Sequence, residues 1–125
     1  MSATFTIDIN KWAKKVNLEL SDAVMAVCSK VSKDIIYDTP VLTGRLRNNW
    51  YASIDTDITK TSDTRTTEEA LSDVEGESKK AYGHNFILRN NLPYAYRIEF
   101  EGWSHTKAPA GMVRINMAKI KRTLS

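Results

Sequence analysis

One cysteine, Cys28, is all the thiol chemistry the chain carries. That excludes an internal disulfide and any multi-cysteine metal site, and it suits synthesis in a reducing cytosol. Histidine is nearly as scarce: His84 and His105 both lack a cysteine or carboxylate partner at metal-ligand spacing. Gly44 and Gly111 are isolated, so no glycine-rich phosphate cradle forms. Ser53 and Ser104 sit in no nucleophile elbow. Glu99 and Glu101 would not face each other on a helix; on a strand they would share a face, with nothing else to make them an acid–base pair. No apolar run approaches the roughly 18 residues a membrane span needs. The start, Met1 to Asp8, has neither the basic flank nor the apolar stretch of a signal peptide. The expectation is a protein without catalytic residues, metal or cofactor, not an enzyme, and without a membrane partner.

What is present is ordinary in bulk and unusual in detail. At 125 residues, 42% hydrophobic and 26% charged, the chain suits one domain spanning 1–125 with a core of its own. Two segments, Asp38–Trp50 and Asn90–Ser104, are dense in turn-forming residues, aromatics and Arg. Neither holds a nucleophile–base pair or a ligand cluster. Residues that specific without chemistry point to geometry and contact.

Apolar residues recur every three or four positions at Ile9, Trp12, Ala13, Val16, Leu20, Val24, Val27, Val31 and Ile35, which predicts a helix over 9–37. Asp8 or Asn10 would cap it, and Asp38-Thr39-Pro40 would end it because the residue before proline avoids the α region. Such a helix would run about 40 Å. Cys28, between Val27 and Val31, reads as a small core residue. Thr43 can cap a short helix with Leu46 inward and Arg45 and Arg47 outward. From Trp50 the period changes to two: Trp50, Ala52, Ile54 and Ile58 alternate with Tyr51, Ser53, Asp55 and Asp57, as in a half-buried strand. A mobile Thr-rich acidic loop is expected at about 56–67. Thr66–Glu69 has capping-box form and opens a helix that Gly76 would stop. Phe86–Leu88 reads as a second strand. Residues 94–100 suit a helix begun at Pro93 or a strand, since Tyr94, Tyr96, Ile98 and Phe100 alternate. The tail is read as a helix with Val113, Met117 and Ile120 on one face and Lys119, Lys121 and Arg122 in its last turns. The fold class is α+β: a long N-terminal helix packed on a small antiparallel sheet, with short peripheral helices.

Charge is segregated along the chain. Residues 55–77 hold eight acids against Lys60 and Arg65, while bases predominate elsewhere. Such polarity can steer the acidic segment of one copy to the basic face of another. Trp, Tyr and Arg are favoured at protein interfaces. Trp12 and Trp50 sit on apolar faces, whereas Trp103 follows Gly102 in a polar loop and is the better exposed anchor. The competing reading is a basic nucleic-acid-binding module, in which arginines and stacking rings form the surface. The acidic stretch and the lack of a helix-turn-helix or zinc-finger signature stand against it.

Thr39–Trp50 (TPVLTGRLRNNW) resembles the TPV-x-TGRLR-x-SW signature of the neck or tail-completion proteins of tailed bacteriophages. Asn90–Gly102 is similar to that family's N-x-x-PYA-x-x-xE-x-G signature, and Ser104–Val113 to its S-x-QAPxGMV continuation. The order and spacing also match, over roughly 10–122. His105-Thr-Lys departs from the usual short stretch and lengthens the loop that carries Trp103. The resemblance implies a structural virion protein of the head–tail junction, made in the host cytoplasm. It would form a ring, hexameric or dodecameric, between the connector and the tail-terminator or tail-tube proteins. DNA in the lumen could be touched incidentally. The interface candidates are Arg45, Arg47, Arg89, Arg97, Trp103 and His105, with Asp63, Glu68 and Glu69 on the acidic side. On this reading, deleting residues 59–66 would leave the monomer folded and impair assembly.

Overall fold

The structure, a computed structural model, describes residues 13–14, 17–39, 45–92, 95 and 113–124. Its elements in order are α1 (Leu20–Asp38), α2 (Arg45–Asn48), β1 (Trp50–Ile54), α3 (Thr67–Ser78), β2 (Phe86–Asn90) and α4 (Val113–Leu124). This is an α+β fold: a long helix, a two-stranded antiparallel sheet and shorter helices around them. Helix α1 packs on α3 and α4, and α3 also packs on β1.

The predicted single helix over 9–37 is interrupted. Ala13 and Lys14 are helical, but Asn17 adopts φ 58°. Its N–H donates to Lys14 O at 3.3 Å, and Leu18 N–H reaches back to Ala13 O at 2.9 Å. That pair of bonds is the Schellman stop, with Asn in the left-handed position that only Gly and Asn take cheaply. Periodicity continued through the break and concealed it. The proposed caps Asp8 and Asn10 lie outside the described residues. At the other end the expectation holds: Thr39 is extended, φ −68° and ψ 126°.

Val27, Val31, Ile35 and Ile36 from α1 meet Trp50 and Ala52 of β1, Ala70 and Val74 of α3, and Ile120 of α4. Ile36, fully buried, was absent from the apolar stripe read in the sequence, and Val24 is only half-buried. The stripe is wider than one residue per turn because α1 is covered by two helices.

Strand β1 departs from the half-buried pattern: Tyr51 and Ser53 are buried along with Trp50 and Ala52. The strand also ends at Ile54, short of Ile58, because Asp55 turns the chain at φ 61°. β2 extends to Asn90, and its register with β1 pairs Trp50 with Asn90 and Ile54 with Phe86.

Helix α3 opens with the expected capping box: Thr66 accepts from Glu69 N–H, and Glu69 accepts from Thr66 N–H. Gly76 does not stop it. The helix continues to Ser78, since buried Val74 and Ser78 hold the last turn in place. A Cβ at Gly76 would meet nothing within 4 Å, and the residue has no positive φ. Gly76→Ala is therefore expected to stabilise the protein by about 0.5–1 kcal/mol in urea unfolding; no gain would mean the helix frays before this point.

The tail is helical, as favoured, with Ile120 buried, Val113 and Met117 half-buried, and Lys121 and Arg122 in the last turn. Of 94–100, only Ala95 is described, so the helix-or-strand question there lies outside the described residues.

Candidate interface surface

The described parts of the Asp38–Trp50 and Asn90–Ser104 segments meet in space. Thr39 Oγ1 donates to Ile35 O at 2.7 Å and accepts from Trp50 Nε1 at 2.8 Å. Arg47 Nη2 donates to Tyr37 O at 2.7 Å and to Thr39 O at 3.2 Å. The guanidinium thus covers the open carbonyls at the end of α1, where a cation also suits the helix dipole. Asn90 Nδ2 donates to Leu46 O at 2.8 Å, and Asn90 Oδ1 accepts from Leu92 N–H at 3.1 Å. These bonds set the angles between α1, α2 and the sheet. Arg47, expected to project outward, is half-buried and turned onto its own chain.

The segment expected as a mobile loop has no regular secondary structure but many fixed partners. Asn49, fully buried, donates to Arg45 O and Ser62 O and accepts from Ser62 N–H, all within 2.7–2.8 Å. Asn91 Nδ2 donates to Ile58 O at 2.9 Å and to Lys60 O at 3.1 Å. Arg65 is the principal anchor. It donates to the carbonyls of Trp50 and Asn48, pairs with Asp73 at 3.1 Å, and lies 3.9 Å over the Tyr51 ring. Lys60 flanks the same ring at 5.3 Å. This explains why Tyr51, placed on the polar face by alternation, is buried.

Folding also mixes the segregated charges. Asp55 pairs with His84, Asp57 with Arg89, Asp63 with Arg45, Asp73 with Arg65, Glu75 with Lys33 and Glu77 with Lys80. Glu69 is held in the capping box, and Glu68 stays exposed. The acidic segment is thus largely matched within its own chain, and steering between copies draws little support from it. Arg45 and Asp63 remain exposed as a pair, and Arg89 also donates to Asn91 Oδ1 at 2.8 Å. On α4, Arg114, Lys119, Lys121 and Arg122 are exposed. Arg97, Trp103 and His105 lie outside the described residues.

The Asn85 N–H and then the His84 ring hold the Asp55 carboxyl below the ordinary aspartate range. Lys33 first and Ser29 next do the same for Glu75. With folded values depressed, these carboxylates contribute stability above their unfolded values and lose it as pH falls through the folded ones. We expect the urea midpoint to drop below about pH 4, and the double variant Asp55→Asn, Glu75→Gln to show a shallower drop. Identical slopes would contradict these two pairs as acid-sensitive contacts.

Among the described residues no three His, Cys, Asp or Glu side chains cluster to hold a metal. Burial pushes the Cys28 thiol up to about 11, which keeps it protonated and unreactive at neutral pH. His84 and Asp55 form an exposed pair 2.7 Å apart, and among the described residues neither bonds a Ser, Thr or Cys side chain. No helix among the described residues is long and apolar enough to cross a membrane. Comparison with family models, with characterised proteins and with solved structures finds no match.

The sequence reading singled out Arg45 and Arg47 but missed Arg65, Asp73 and Asn49. Arg65 had one visible signal: it is one of two bases in an acidic stretch that follows a strand with an aromatic on its polar face.

Proposed function

We propose that this chain is a structural subunit of a tailed-phage head–tail junction, a ring-forming neck or tail-completion protein. The observation that carries the reading is the convergence of the signature segments. Within the first, Arg47 and Trp50 both bond Thr39; Trp50 and the Leu46 carbonyl then meet Asn90 of the second, and these bonds are spent on setting the angles between elements. A subunit of a closed ring needs such fixed angles, because a small angular error per copy prevents closure. The connector and the tail-terminator or tail-tube proteins would be its neighbours. Labelling the protein in intact virions for electron microscopy is expected to place it at the junction of head and tail. Label on the capsid shell or tail fibres, or none on the particle, would overturn the proposal.

A second reading, a nucleic-acid-binding module, draws on the internal matching of the acidic segment and the exposed bases of α4. It requires DNA affinity that falls steeply with salt. Affinity that is absent at moderate salt would remove it.

A further inference from the structure

The two edges of the sheet are treated differently. Asp55 N–H donates to Asn85 O at 2.9 Å, which continues the ladder one pair past Ile54–Phe86. In an antiparallel ladder bonded and non-bonded pairs alternate. Tyr51, Ser53 and Asp55 therefore face β2 with their backbone groups, while those of Trp50 and Ala52 point off the other edge of β1. That edge is closed by side chains: Asp73 accepts from Ala52 N–H at 2.8 Å, and Arg65 donates to Trp50 O. The Arg65–Asp73 pair takes the place of a neighbouring strand.

By the same alternation the N–H and C=O groups of Phe86, Leu88 and Asn90 point off the outer edge of β2. Among the described residues nothing bonds them. All five residues of β2 are half-buried. An edge left unbonded among the described residues, beside a plugged one, is a template for strand addition, since unpaired edges recruit extended chain unless blocked.

The occupant can be read from the sequence. Thr4-Phe-Thr-Ile-Asp-Ile9 alternates polar and apolar residues, is rich in β-branched and aromatic types, and lies ahead of the first described residue, Ala13. Its period-two face of Phe5, Ile7 and Ile9 matches Phe86 and Leu88, which pack on the core. Its other face of Thr4, Thr6 and Asp8 matches that of Ile87 and Arg89. Asp8 is its one charge, and the one charge of β2 is Arg89, which also pairs with Asp57. We infer that residues 4–9 of one copy add as a strand to the β2 edge of the next. Donor and acceptor differ, so the contact is heterologous and can propagate around a ring. This inference rests on the ring reading above for its choice of a second copy.

Amide exchange of the full chain, resolved residue by residue at low and high concentration, tests it. The N–H groups of Phe86, Leu88 and Asn90 are expected to exchange about tenfold or more slowly at the higher concentration. The double variant Phe5→Lys, Ile7→Lys should abolish that protection and lower the assembly's mass in light scattering. Protection independent of concentration would assign the edge to the chain's own segment and overturn the exchange between copies. Protection that survives in the variant would exclude residues 4–9. A ring with freely exchanging β2 amides would overturn strand addition and leave the ring reading standing. A monomer at every concentration, with those amides unprotected, would count against both.

Discussion

Arg65→Ala is expected to cost about 2–4 kcal/mol, between the range for an exposed ion pair and that for a buried one. The Arg65 side chain is 10% exposed and that of Asp73 26%, so water repairs the loss only in part. Asp73 would keep its bond from Ala52 N–H but lose its cation, and the carbonyls of Asn48 and Trp50 would lose their donor. The Tyr51 ring would lose the plane stacked on it. Against a total stability of about 5–15 kcal/mol, such a loss would leave the domain marginal. Urea unfolding followed by far-ultraviolet circular dichroism measures it. Arg65→Lys keeps the charge without the planar fork and should recover only part of the loss. A cost below about 1 kcal/mol for Arg65→Ala would mean that the 56–67 segment is a passive covering. The same bonds revise the deletion of residues 59–66: it removes Ser62 and Arg65 together, so the monomer itself is expected to lose stability.

Trp50→Ala should be at least as damaging, about 3–5 kcal/mol, as for other buried large-to-small changes. Trp50 is 4% exposed and belongs to the central cluster with Val31, Ile35, Ala52 and Val74. Its Nε1 also ties β1 to Thr39 at the end of α1, so both a cavity and a lost cross-link contribute. Trp50→Phe separates the two. It fills most of the space, and the missing hydrogen bond alone should cost about 0.5–1.5 kcal/mol. If Trp50→Ala and Trp50→Phe were equally mild in urea, the two signature segments would not depend on this side chain for their relative placement.

Local rules were legible where one residue type decides the outcome. Pro40 set Thr39 extended, Thr66 and Glu69 closed the capping box, and the basic last turn of 113–124 favoured a helix. Reading failed where two rules competed. Asn17 ended a helix inside an unbroken apolar period, and Gly76 stayed helical because buried neighbours outweighed its entropy. Burial of Tyr51 could not be seen from alternation, since it depends on Arg65 returning from fourteen residues downstream. Charge misled for a related reason. Separation in sequence says nothing of separation in space, and α2, the β1–α3 loop and β2 bring opposite charges together. Of the interface candidates, Arg45, Asp63, Glu68 and Glu69 are exposed, whereas Arg47 serves its own helix end.

The proposed role in joining heads to tails is tested most directly by particles assembled without this chain. Electron microscopy of lysates from a phage lacking the gene is expected to show DNA-filled heads and separate, complete tails, with joining restored when the purified protein is added. Intact, infectious particles in its absence would contradict the account.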